Sequence, residues 1–206
     1  MYKRQAYDDL LSGGSTDRPD VDVADTELLC IIYTSGTTGR AKGVTLQHVQ
    51  ALDNAMAVVL GLGVDASTRF VVSYPHNSAG TVNHVWGPVL LMGGCILMTD
   101  VKQFSGEKFF ATVERHRATH CQLVPTMVFR VLDDPSRERY DLSSLQRIGY
   151  ASAPIPPGRV KQVLDTFGPI LVQMYGMTET CSVATLLSGA DPVSYTHLTL
   201  PTKRIV

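Results

Sequence analysis

Apolar positions along the chain fall into two kinds of block. Continuous runs occupy residues 28–33, 70–73, 95–98, 121–124, 145–150 and 170–173, each bounded by turn-forming residues. Short runs of this kind predict strands buried on both faces. Between them, apolar residues recur at helical spacing: Val49, Leu52, Ala55, Met56 and Val59 within 47–60, and Phe109, Phe110 and Val113 within 107–117. Residues 82–92, carrying Trp86 and closed by Gly93-Gly94, residues 127–132, and residues 157–167 with proline in the first turn complete the helices. Strands alternating with helices of this length predict an α/β domain, a largely parallel sheet flanked by helices whose ligands sit at the carboxyl ends of the strands. No repeat or low-complexity linker interrupts the pattern.

Composition narrows the class. A chain of 206 residues with 44% hydrophobic residues suits one globular domain or most of one, and a net charge of −1 leaves no electrostatic footprint for nucleic acid or an anionic membrane. No apolar run is long enough to span a bilayer. Cys30, Cys95, Cys121 and Cys181 are scattered, with no C-x-x-C pair, so reduced thiols in a cytoplasmic protein are expected. His116 and His120 have i,i+4 spacing, but the chain turns extended at Cys121 and a metal pair is not expected there; His48 is expected at a helix start on the surface, and Met92, Met98 and Met127 in the core.

The loop after the first strand changes the picture. Residues 33–44 read YTSGTTGRAKGV, placing the hydroxyls of Thr34, Ser35, Thr37 and Thr38 among Gly36, Gly39 and Gly43, with Lys42 behind them. Glycines let backbone approach a ligand, and N–H groups with hydroxyls can ring a phosphate. The P-loop pattern fails at Ala41 and Gly43, which stand where its second glycine and its Ser/Thr belong, and no G-x-G-x-x-G occurs.

This stretch closely resembles the phosphate-loop signature of the AMP-forming adenylating enzymes, the superfamily of acyl-CoA synthetases, firefly luciferase and nonribosomal peptide adenylation domains. Ala41 replaces the usual proline. LVPTM at 123–127, YASAPIP at 150–156 and YGMTET at 175–180 follow in the family's order, and the likeness covers about residues 6–187. The resemblance implies the incomplete large N-terminal domain of an acyl-CoA synthetase-like fold, in which a carboxylate attacks the α-phosphate of ATP and a thiol such as that of coenzyme A captures the acyl group. It implies that Thr34, Ser35, Gly36, Thr37, Thr38, Gly39 and Lys42 cradle the β- and γ-phosphates, Lys42 as a charge clamp. Ala151, Ser152 and Ala153, with Tyr150 and Pro154, would form the adenine-side loop, Tyr175 and Gly176 would lie against the base, Thr178 would bond the α-phosphate or the substrate carboxylate, and Glu179 would hold Mg²⁺. Asn77 takes the place of the family's usual histidine in PHNSAG, with His76 displaced by one. The partners implied are ATP, coenzyme A and a fatty or aryl carboxylic acid, with a place in fatty-acid metabolism.

The two ends are related at the DNA level: MYKRQ written GTG TAT AAG AGA CAG has a reverse complement that reads Val-Ser-Tyr-Thr and opens a histidine codon, the order at Val193 to His197. The pair resembles the inverted ends of a transposon adapter, so residues 1–5 and 193–206 are expected to be adapter-derived, leaving 6–192 as a partial AMP-binding (adenylation) domain. A ribose-gripping aspartate, a hinge and a small domain with the essential lysine, all implied by the resemblance, do not occur before residue 193, so the fragment is expected to be inactive. A nonribosomal peptide-type adenylation domain and a noncatalytic nucleotide-binding module are the alternatives.

Overall fold

The computed structural model describes residues 7–35, 40–76, 78–99 and 104–188. Six strands form one sheet in the order β4–β3–β5–β6–β7–β8. The strands are β3 (Arg69–Val72), β4 (Cys95–Met98), β5 (His120–Leu123), β6 (Arg147–Tyr150), β7 (Leu171–Tyr175) and β8 (Thr185–Ser188). All neighbours run parallel except β7 and β8, which are antiparallel. The expected largely parallel α/β sheet is therefore what forms.

Alternation along the strands divides the core into two layers. Val71, Cys121, Leu123, Ile148, Tyr150 and Leu171 face Phe109, Phe110 and Val113 of α5 (Gly106–His116), Val128 and Val131 of α6 (Pro125–Asp133), and Val160 and Val163 of α7 (Pro157–Phe167). Phe70, Val72, Val172 and Met174 face the other way, onto Val58, Val59 and Leu62 of α2 (His48–Leu62) and onto Val85 and Val89. Both faces of the sheet are covered, which is why its strands read as unbroken apolar runs. Caps set the helix ends: Ser105 Oγ accepts from the Lys108 N–H at 3.2 Å at the start of α5, and Gly63 at φ 69° closes α2.

Three features depart from the expected pattern. Residues 28–60 were expected as strand, loop, helix; instead β1 (Leu28–Thr34) returns as β2 (Lys42–Gln47) in an antiparallel hairpin that forms its own two-stranded sheet, and α2 begins only at His48. Only Val44 and Leu46 mark the period-2 pattern of β2, which opens on exposed Lys42 and Gly43 and runs straight into α2; Leu46 is buried. The segment expected as one helix over 82–92 is helical, part of a continuous run over 79–91 in which a π-helical turn at Val82–Trp86 separates α3 (Ala79–Thr81) from α4 (Gly87–Leu91). Gly87 N–H bonds Val82 O, five residues back, and Pro88 has no N–H to continue an α-helical register. The edge strand β8 and the short α1 (Tyr7–Ser12) had no strong periodic signal.

Candidate functional site

The carboxyl ends of β3, β5, β6 and β7 come to one edge of the sheet, and the chain that follows β6 and β7 holds Ala151, Ser152, Ala153, Gly176, Thr178 and Glu179. After β6, the chain turns sharply at Ser152, a non-glycine residue at φ 77°, so that Ala151 is half-buried while Ser152, Ala153 and Pro154 are exposed beside buried Ile155. Tyr150 itself is core, at 2% exposure. Of the residues named for the adenine-side loop, Ala151 and Ser152 line a cavity of about 280 Å³.

The floor of that cavity is a buried polar chain. Tyr74 Oη donates to Gln122 Oε1 at 2.9 Å, and Gln122 Nε2 bonds His84 Nδ1 at 2.9 Å. An amide NH₂ only donates, so Nδ1 is the acceptor and the ring proton sits on Nε2. Burial pushes His84 down to about 4, keeping the ring neutral, and raises the Tyr74 phenol well above its ordinary range. Sequence reasoning missed Tyr74, Gln122 and His84 as site residues. The available signal was a glutamine inside the apolar run HCQL and a histidine inside a segment expected to be buried.

Beyond β7 the chain closes into a tight turn. Thr178–Thr180 form one 3-10 turn, followed by Cys181 at φ 55° and Ser182 at φ 110°. Thr180 Oγ1 accepts from Met177 N–H at 3.1 Å, Ser182 N–H donates to Met177 O at 3.1 Å, and Ala184 N–H donates to Tyr175 O at 2.8 Å. The turn thus satisfies its own backbone. Thr178 O accepts from Cys181 N–H at 3.1 Å, the side chains of Thr178 and Glu179 bond no other described residue, and Glu179 and Tyr175 are exposed.

The β1–β2 hairpin approaches the same turn, since β2 packs against residues 178–180. Thr34 lies opposite Lys42 in the hairpin register, with a long contact of 3.5 Å from its hydroxyl to the Lys42 carbonyl. Ser35 and Lys42 are exposed. Gly43 is required by closeness: a Cβ there would stand 2.8 Å from Ile31 Cγ2. Gly36, Thr37, Thr38 and Gly39 lie outside the described residues, as does Asn77.

Residues 2–204 match the family model of AMP-binding enzymes. The chain belongs to the AMP-binding enzyme family. Among curated relatives of this AMP-binding chain, a medium/long-chain-fatty-acid–CoA ligase of Mycobacterium tuberculosis is 31% identical over 82% of this chain and 29% of its own length. An indoleacetate–CoA ligase of Aromatoleum aromaticum is 32% identical over 90% of this chain and 36% of its own. The chain therefore spans about a third of the curated relatives it matches. The ATP-bound crystal structure of MatB from Rhodopseudomonas palustris superposes with a TM-score of 0.77 at 25% identity, over 88% of this chain and 35% of that one. The N-terminal domain of FACL13 from Mycobacterium tuberculosis shares the fold at a TM-score of 0.80 and 24% identity, over 91% of this chain and 46% of that one.

Other sequence candidates are placed elsewhere. His76 stacks on Trp86, with ring centroids 6.5 Å apart, and is not part of the cavity lining. His120 is buried at the amino end of β5, where its ring bonds Leu62 O at 3.0 Å and Thr119 Oγ1 at 2.8 Å. That position is structural, away from the loop edge. His48 starts α2 half-buried, Met92 and Met127 pack against the core, and Met98 is 62% exposed rather than core, because β4 is an edge strand with one side uncovered. The four cysteines are free thiols, and no group of three or more His, Cys, Asp or Glu gathers to hold a metal among the described residues. No described helix is long and apolar enough to cross a membrane.

Proposed function

We propose that the chain is the nucleotide- and acid-binding part of an ATP-dependent, AMP-forming acyl-CoA synthetase. The observation that carries this reading is that the Ala151–Ser152 turn, which lines a cavity of about 280 Å³, and the Thr178–Glu179 turn follow the ends of the paired parallel strands β6 and β7, while β2 of the hairpin bearing Thr34, Ser35 and Lys42 packs against residues 178–180. In the reaction a carboxylate oxygen of the acid attacks the α-phosphorus of ATP and the bond to the β-phosphate breaks, giving acyl-adenylate and pyrophosphate. Attack of the coenzyme A thiol on the acyl carbon then expels AMP.

Each part of the site has work suited to its chemistry. The hairpin hydroxyls and Lys42 bind the β- and γ-phosphates, where a point charge offsets the anion. The flat turn at Ala151–Ser152 and the exposed Tyr175 ring take the base between them. Thr178 orients the α-phosphate or the carboxylate, and the cavity above the Tyr74–Gln122–His84 chain receives the acid's carbon skeleton, fatty or aryl. The donor set also fits Mg²⁺: Glu179 is an exposed carboxylate with no competing described partner, and a single carboxylate plus phosphate oxygens is how this hard ion is usually held. Bound there, it would offset charge on the departing pyrophosphate.

Acid-dependent exchange of labelled pyrophosphate into ATP by the parent protein tests this reading, with coenzyme A and a carrier-protein thiol compared as acceptors. Exchange with thioester formation on coenzyme A is expected. Exchange that requires an amino acid would instead support a peptide-type adenylation domain, and ATP binding without any exchange would leave a noncatalytic nucleotide-binding module.

A further inference from the structure

Asn54 is a polar residue in the apolar layer between α2 and the sheet, 6% exposed. Its Nδ2 donates to Val183 O at 3.0 Å, across 129 residues of sequence, and its Oδ1 has no partner. The acceptor lies just beyond Cys181 and Ser182, the two consecutive residues that carry positive φ without being glycine. Such backbone is held only where its surroundings determine it.

The contact belongs to a wider alignment. One face of α2 runs along the segment leading into β8: Asn54 meets Val183, and Gly61 lies so close to Leu186 that a Cβ on Gly61 would stand 2.4 Å from Leu186 Cδ1. From Asn54 to Gly61 a helix advances about 10.5 Å, and from Val183 to Leu186 a strand advances about 10 Å, so the two contacts share one register. The same helix α2 continues directly from β2, the strand that carries Lys42. Asn54 therefore bonds the chain leaving the Thr178–Glu179 turn to the helix on which the phosphate hairpin is mounted. An apolar side chain could fill the space, but only a donor fixes where the Val183 carbonyl stands.

We propose that Asn54 is a positioning residue that sets Thr178 and Glu179 against the phosphate hairpin, so that a metal-bound nucleotide meets both loops at once. This rests on the assignment of Glu179 and the hairpin to Mg-ATP. Bound Mg²⁺ would add Glu179 to the residues that hold the nucleotide, whereas ATP without the ion would depend on the hairpin and the adenine-side turn.

Titration calorimetry of the full chain with ATP, with and without Mg²⁺, tests the proposal. Asn54→Leu keeps volume and helix propensity while removing the donor. It is expected to weaken Mg-ATP binding about tenfold, the worth of one buried hydrogen bond, and to leave Mg-free ATP within about twofold. A role confined to stability would lower both affinities in proportion, and that result, or no change in either, overturns the proposal. Glu179→Gln is run beside it: if that variant binds Mg-ATP as the unmodified chain does, the assignment of the turn fails and the inference with it. A measurement on the unmodified chain covers a variant that does not fold. The Asn54 side-chain amide protons are expected to exchange slowly and to shift when Mg-ATP, but not Mg-free ATP, is added; resonances indifferent to Mg²⁺ overturn the proposal.

Discussion

Replacing Gly176 with alanine puts the packing of the Thr178–Glu179 turn to a direct test. A Cβ on Gly176 would stand 1.6 Å from Ser182 O and 2.6 Å from the carbonyl carbon behind it. An unstrained carbon–oxygen contact needs roughly 3.3 Å, so the Ser182 carbonyl must retreat by about 1.7 Å. It cannot do so freely, because the peptides on either side are held, one by Ser182 N–H to Met177 O at 3.1 Å, the other by Ala184 N–H to Tyr175 O at 2.8 Å and Asn54 Nδ2 to Val183 O at 3.0 Å. Losing two of these at about 0.5–1.5 kcal/mol each, with about 1–3 kcal/mol for overpacking, gives a destabilisation of about 2–6 kcal/mol. That is a large share of the about 5–15 kcal/mol by which a domain is stable. Gly176 is not in the left-handed region, so the cost comes from closeness and not from backbone freedom. Urea denaturation of the chain reads the effect, with Gly158→Ala as a control: Gly158 lies in α7 with nothing within 4 Å of its added Cβ, and alanine there should stabilise by about 0.5–1 kcal/mol. A Gly176→Ala chain within about 0.5 kcal/mol of the unmodified one would refute the reasoning, since the turn would then be loose enough to yield.

Three further outcomes are expected. Glu179→Gln in the parent enzyme should lower adenylate formation by far more than it lowers stability, and raising Mg²⁺ should restore part of the loss by mass action; unchanged pyrophosphate release at limiting Mg²⁺ would remove the carboxylate from the metal. Because burial holds His84 at about 4 in the native chain, below an ordinary value near 6.5, its contribution to stability is complete above pH 6.5 and is lost as pH falls toward 4, by at most about 3 kcal/mol. Burial lowers His120 in the same direction, and His84→Asn should flatten the dependence of the urea midpoint on pH across that window without abolishing it. Trimming the chain to residues 6–192 should leave the midpoint where it is, and a clear loss would mean that residues 193–206 pack as native structure.

The chain's own pattern carried much of the fold. Residues such as Phe70, Val71 and Val72, each fully buried, advertise a strand covered on both faces, and the 3.6-residue spacing of Phe109, Phe110 and Val113 admits only one inward helix face. The loops were legible for a different reason. Hydroxyls, glycines and a lysine crowded into residues 33–44 pointed to an anion, and the resemblance to adenylating enzymes supplied Glu179 as the ligand of its counter-ion.

Tertiary structure decided what depends on which surfaces meet. β2 was hidden because two apolar residues, Val44 and Leu46, are too short an alternation to outvote the helix that follows it. Gln122 and His84 were invisible as a pair because 38 residues separate them, and only the parallel stacking of β5 beside β3 brings His84 over the strand end. The packing of Gly176 was likewise invisible, because the nearest atom to its missing Cβ is the Ser182 carbonyl, six residues on across the closed turn. A one-dimensional sequence records which residue types tolerate water and which do not; it does not record distances between residues remote in the chain. The layers of the sheet were therefore determined locally, while the cavity floor, the closed turn and the Asn54 contact that joins it to α2 exist only once the helices have packed on both faces.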